Sequence, residues 1–240
     1  MLVASGVAAL GAVLGFLTVR DGPFTTPASR FSPAVALAAL REPSVRLANI
    51  GYLGHMWELF AMWSWIPTFL AASLAATGST SPEVASLGAF VVVASGGIGC
   101  VLAGTLADRL GRTTLTVGAM AVSGSSAILT GLLFGAPPVL LLAVALVWGV
   151  TVVADSAQFS TAVSELAPPG TAGSALAVQT AAGFLLTAAT IVVVGVLNPA
   201  DAAGWRTAFV ILALGPAVGI VAMLRLRRRP DAVRMANGHR

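Results

Sequence analysis

Within the apolar stretch Gly51-Tyr-Leu-Gly54-His55-Met-Trp57-Glu58-Leu-Phe-Ala-Met62-Trp63-Ser-Trp65-Ile-Pro67, an imidazole and a carboxylate stand one helical turn apart. On a helix that spacing puts both on one face, where they can share a proton near neutral pH. At about 100° per residue, Gly51, Gly54, His55, Glu58, Met62 and Trp65 all fall on this face. The two glycines leave room beside the ionisable pair for a small ligand, and Trp65 is placed to wall it off. A bare carboxylate in the middle of an apolar segment costs about 2.5–3.5 kcal/mol to insert in a bilayer, so an unneeded Glu58 is disfavoured. Two roles meet that cost: a proton relay, or a structural carboxylate satisfied by another helix. His55 also has two, sharing a proton with Glu58, or bonding backbone and orienting its neighbour. Two potential ligands without a third make no metal coordination set, and no cofactor is expected.

A second polar cluster is Thr151-Val-Val-Ala-Asp155-Ser156-Ala-Gln158-Phe159-Ser160. Helical spacing gathers Trp148, Thr151, Asp155, Gln158 and Phe159 on one side, with Asp155 the sole ionisable group of its segment. Asp155 suits a helix tether or gate as well as direct contact with a coupling ion. Farther on, Gln179, Thr180, Gly183, Thr187 and Thr190 form a polar and small stripe that suits helix packing, with solute contact as the alternative. A third kind of chemistry sits in the run Gly104-Thr-Leu-Ala-Asp108-Arg109-Leu-Gly111-Arg112. There Gly104 and Gly111 permit a tight turn and close backbone approach, and Asp108 can cap or face the positive end of a helix. Arg109 and Arg112 can anchor in headgroups or pair with carboxylates.

These residues are carried on elements that belong in a bilayer. The chain is 57% hydrophobic and 9% charged, with a mean hydropathy of +0.93; a soluble surface needs roughly a quarter of its residues charged. A span takes about 20 apolar residues, and segments near 1-19, 46-71, 84-107, 113-134, 138-163, 171-197 and 205-226 qualify. The expected fold is therefore all-α and polytopic, with seven spans. Lysine is absent, and every arginine but Arg206 falls on one side of this topology. The positive-inside rule makes that side cytoplasmic, carboxy terminus included, and the basic charge topological rather than a nucleic-acid footprint. The first span lacks a basic leader and is followed by Arg20, so it reads as a span rather than a signal peptide. Residues 20-45 read as a connector with a short interfacial helix over Phe31 to Leu40, flanked by Arg30 and Arg41. Residues 227-240 form a basic tail, and the lone Cys100 rules out a disulfide framework.

The run from Gly104 to Arg112 resembles the loop signature of the major facilitator superfamily of secondary transporters, with Thr113 at the family's further basic position. A generic basic connector explains the arginines but not Asp108 and both glycines at these spacings. The resemblance implies transport of a small polar or anionic solute by alternating access in the cell membrane, coupled to protons, with Glu58 as the coupling candidate. It makes the Glu58 segment the family's seventh helix and the Asp155 segment its tenth, both lining the central cavity. Loosely, the His55-x-x-Glu58 segment is similar to carriers of small anions such as cyanate or nitrate. Four spans follow Arg112, so the chain is expected to hold helices six to twelve and to lack the amino-terminal half, whose helix end would meet Asp108. Other classes fit less well: a seven-span receptor or sensor has no use for the signature, and a retinal protein needs a lysine. An intramembrane enzyme needs a His-Glu-x-x-His or Gly-x-Ser-x-Gly run, and neither is present.

Overall fold

The structure, a computed structural model, describes residues 2–20, 32–78, 81–197 and 199–239. Most of the expected connector, with Arg30 and the prolines at 23 and 27, lies outside them. Residues Met1–Arg30 form one unit and Phe31–Arg240 another. Within the first, α1 (Leu2–Thr18) has 17 residues, a rise of about 26 Å against a hydrocarbon core of about 30 Å. Six helices of the second unit are long and apolar enough to cross a membrane. The expected seven spans thus become six long helices and one shorter apolar one; no strand occurs among the described residues.

Local chemistry sets the helix limits. Ser32 caps α2 (Pro33–Arg41) by accepting from the Val35 N–H at 3.4 Å, and Pro33 opens it without losing a helical bond. Glu42, held extended before Pro43, ends α2 and starts α3 (Pro43–Ala76). The second crossing is split into α4 (Pro82–Ala94) and α5 (Gly96–Leu110) at Ser95, whose hydroxyl donates to the Val92 carbonyl at 2.7 Å. Gly111, at φ +88°, turns the chain into α6 (Arg112–Leu132); a β-carbon would be strained there. The fourth crossing is broken at Asp155 into α7 (Pro138–Ala154) and α8 (Ser156–Leu166). The helices α9 (Ala172–Leu197) and α10 (Ala202–Arg227) complete the bundle, the latter capped by Asp201, which accepts from Gly204 N–H at 2.8 Å.

α3 runs through the middle, packed against α10, α9, α8, α4 and α7, while α10 also lies along α6. Its contact with α10 is glycine on glycine: a β-carbon on Gly54 would collide with the backbone of Gly215 and Gly219. The space expected beside these glycines for a ligand is therefore filled by a neighbouring helix; Gly51 likewise faces Met223 and Phe159. Gly96, Cys100 and Gly104 recur every four residues, yet they do not share one packing role. Gly96 and Gly99 press on α7 at Gly149, Val150 and Val153, whereas Cys100 is exposed and Gly104 has nothing within 4 Å of a β-carbon. Packing follows the i, i+3 pair rather than the i, i+4 row, because only the former faces α7.

Two apolar clusters fill the bundle. One gathers Met62, Ile66, Phe69, Trp148, Trp205 and Phe209; the other gathers Tyr52, Met56, Phe159, Met223, Leu226 and Met235. Met235 belongs to the carboxy-terminal tail, which folds back as short 3-10 turns over Pro230–Arg234 and Ala236–Gly238. Ser44 donates to Asp231, Arg229 Nε donates to Ser44 Oγ at 2.8 Å, and Ala236 N–H donates to Glu165 at 3.3 Å.

Replacing Gly99 with valine forces α5 away from the Val150 carbonyl and lowers the thermal unfolding midpoint, an overpacking cost of about 1–3 kcal/mol. Gly104→Ala, in open space, leaves the midpoint unchanged or raises it. Thermal shift of the two purified variants checks this, and equal losses would refute the assigned contact. Asp231 is held below the usual carboxylate range by the Ser44 hydroxyl first, with Arg229 adding to it. Its contribution to tail docking is complete above the free carboxylate value of about 3.9 and disappears as pH falls through the lowered folded value. Proteolysis of the tail should rise over that acid range, and Asp231→Asn should show the same susceptibility already at neutral pH.

Candidate functional site

Two ionisable residues of α3, His55 and Glu58, lie buried in the bundle. Glu58 is 1% exposed. One carboxylate oxygen accepts from the Trp148 indole N–H of α7 and the other from the Ser123 hydroxyl of α6, each at 2.8 Å. Three helices therefore converge on one carboxylate. No ion pair to Glu58 occurs among the described residues. Neutral donors are the economical way to hold a carboxyl in an apolar interior, since each oxygen is satisfied without burying a second charge.

His55, one turn earlier and 2% exposed, turns away from Glu58. Its Nδ1 lies 2.9 Å from Asp155 Oδ1 and its Nε2 is 2.8 Å from Ser156 Oγ. The Asp155 contact has an ion-pair distance but not the alignment of a hydrogen bond, so Oδ1 has no aligned donor. The expected His55–Glu58 exchange is thus replaced by a His55–Asp155 pair, because the fourth crossing delivers a carboxylate and a hydroxyl to the two ring nitrogens. Both come from the break between α7 and α8, where Asp155 ends one helix and begins the next. Tyr52 and Phe159 pack around the imidazole, with ring centroids 6.3 and 5.5 Å away.

The remaining candidates are dispersed. Gln158 is buried and accepts from Arg112 Nη1 at 2.9 Å, which joins it to the loop signature rather than to Glu58. Gln179 accepts from Ser160 at 3.3 Å and keeps an unpartnered buried amide nitrogen. Along the same helix, Thr187 donates to the Met56 carbonyl at 3.0 Å, so this part of the stripe ties α9 to α3. Trp65 is about 10 Å along α3 from Glu58; its indole donates to the Ile191 carbonyl at 3.2 Å and packs on Gly195 and Trp205. It walls off no space at the carboxylate.

In the loop signature, Arg112 is the hub. Its guanidinium pairs with Asp108 at 2.9 Å and with Glu165 at 3.0 Å while also donating to Gln158. Asp108, 69% exposed on its side chain, meets an arginine of its own motif, and Arg109 is exposed. Thr113 is fully buried, so an arginine at that position would have no exit to water. Ser123 and Trp148, the partners of Glu58, and Glu165, the partner of Arg112, are the residues that sequence reasoning passed over. A serine in the small-residue run Ser123 to Ser126 looks like packing material, and only Trp148 carried a signal, its place on the Asp155 face.

The contacts also gather the arginine-bearing segments at one end. Arg112 meets Glu165, Arg227 donates to Thr114 at 2.7 Å, Arg229 meets Ser44, and Arg234 reaches the Ala167 carbonyl at 3.4 Å. No curated protein matches the chain. The family profile described as Major Facilitator Superfamily matches residues 50–239, which takes in all six long helices except the start of α3. The chain is a multi-pass membrane protein and belongs to this transporter superfamily.

Proposed function

We propose that the protein is a proton-coupled secondary transporter that moves a small polar or anionic solute by alternating access. Glu58 carries this reading: a carboxyl in the interior of a bundle of apolar helices, bonded by two neutral donors and no cation among the described residues. Ionisable groups at such depth mark ion or substrate pathways, because their insertion cost needs a function to retain them. His55, between Asp155 and Ser156 at a helix break, supplies a second proton-exchanging group beside it. Interrupted helices are where midplane sites of secondary transporters are built. The arginine-rich end, with the carboxy terminus, faces the cytoplasm of the cell membrane by the positive-inside rule.

The direct test reconstitutes the full chain in liposomes holding a pH-sensitive dye and presents a panel of small anions and polar solutes. A solute of this class should drive a lumenal pH change. Glu58→Gln should insert normally yet reduce proton movement by about a hundredfold, the lower scale for losing a positioned proton carrier. Unchanged pH-dependent flux in that variant would remove the proton role.

Ser156, His55 and Asp155 also stand in the order hydroxyl, imidazole, carboxylate used by serine hydrolases. We read them as a relay rather than as a nucleophile and its base, since the carboxylate and hydroxyl are adjacent in sequence at the break of one buried crossing. A fluorophosphonate probe should leave Ser156 unlabelled; stoichiometric labelling lost in His55→Gln would establish the hydrolase instead.

A further inference from the structure

An apolar groove that the polar cluster does not use runs along the crossing of α3 and α10. Its arginine-side part, about 500 Å³, is bordered by Leu47, Ile50, Val218 and Val221, with Arg225 in its lining. A second part of about 400 Å³ shares Ile50, Leu214 and Val218 with the first and continues to Trp57 and to Leu186 of α9. The floor is the close approach of Gly54 to Gly215 and Gly219. Trp57 is fixed at the far end by its indole N–H, which donates to the Ile211 carbonyl at 2.9 Å. Leu214 and Val218 stay more than half exposed.

We propose that this groove binds one anionic phospholipid, with its phosphate at Arg225 and an acyl chain laid between Ile50 and Val218 toward Trp57. Depth is the first reason. From Arg225 to Leu214 α10 rises about 16 Å, and to Ile211 about 21 Å, against about 15 Å for a single leaflet. The groove is therefore as long as one lipid and half as long as a spanning helix. Charge is the second reason. Among the described residues Arg225 has no ion pair or side-chain hydrogen bond, and neither has Arg46, which is exposed one turn before Ile50 on α3. An apolar channel closed at its headgroup end by unpaired guanidinium is complementary to an acyl chain joined to a phosphate. Occupancy would brace the α3–α10 crossing, and with it the helix that carries Glu58 and His55.

Native mass spectrometry of the purified full chain, titrated with phosphatidylglycerol or phosphatidylcholine, tests the site. The expected result is a single tightly held phosphatidylglycerol, preferred over phosphatidylcholine. Arg225→Gln should weaken phosphatidylglycerol retention about fivefold, the scale of one arginine at a lipid surface, and leave phosphatidylcholine unchanged. Val218→Trp, which fills the groove, should weaken both. Arg228→Gln, outside the groove, should weaken neither. Because Arg225 is exposed, its variant keeps the fold, and an unchanged thermal midpoint verifies this even if Val218→Trp unfolds. Four results would overturn the proposal: a headgroup preference that survives Arg225→Gln, an equal loss in Arg228→Gln, displacement of the lipid by inorganic phosphate, or a dimer whose second copy covers the groove.

Discussion

Glu58 can stay in the apolar interior only because Ser123 and Trp148 both reach it, and that requirement orders the bundle around α3. A carboxyl left without donors in a low-dielectric interior costs several kcal/mol, so α6 and α7 are held in the register that delivers a hydroxyl and an indole to the same side chain. The glycine contact of α3 with α10 serves the same register one turn away, since Gly54, Gly215 and Gly219 set how closely the two backbones lie. One turn away, His55 takes its partners from the break in the fourth crossing, where Asp155 and Ser156 project from the junction of α7 and α8. The contacts of Glu58 and of His55 therefore both involve the α7–α8 crossing, at Trp148 and at Asp155. A shift of that crossing would act on both ionisable groups together.

At the arginine-bearing end a different economy holds. Charges there are paired rather than avoided, and Arg112 collects two carboxylates and an amide from α5 and α8. Glu165 also accepts the backbone of Ala236, so the tail is bonded to a residue of the signature's own ion-pair cluster. Ser44, Arg229 and Asp231 make a second attachment at the start of α3. These pairs are partly exposed and individually worth little; together with buried Ala232 and Met235 they close the end of the bundle. The loop signature here is an internal brace as much as a surface charge.

Much of the architecture was legible beforehand because a bilayer leaves few choices. Apolar length, arginine placement and the Gly104 to Arg112 run located the crossings and the family. Prolines at 33, 43, 82 and 138 open helices in the structure, for the reason that an N-terminal turn has no bond for them to break. Side-chain partners were not legible in the same way. His55 and Glu58 share a helical face, yet a neighbouring helix offered His55 a better partner than its own turn did. Gly96, Cys100 and Gly104 share a four-residue spacing, but the rotation of α5 against α7 makes Gly99 the contact and leaves Gly104 free.

By itself the sequence determined that the chain is a bundle of membrane-crossing helices of the major facilitator kind, that its basic charge collects at one end, and that a few ionisable groups lie deep among apolar ones. Hydropathy and charge are summed along a segment, so order in the chain suffices to reveal them. Only the tertiary structure decided that Glu58 belongs to Ser123 and Trp148, His55 to Asp155 and Ser156, and Arg112 to Glu165. Those pairings depend on the rotation and depth of each helix against its neighbours. The spacing of residues along one helix constrains neither quantity; close backbone contact at glycine does.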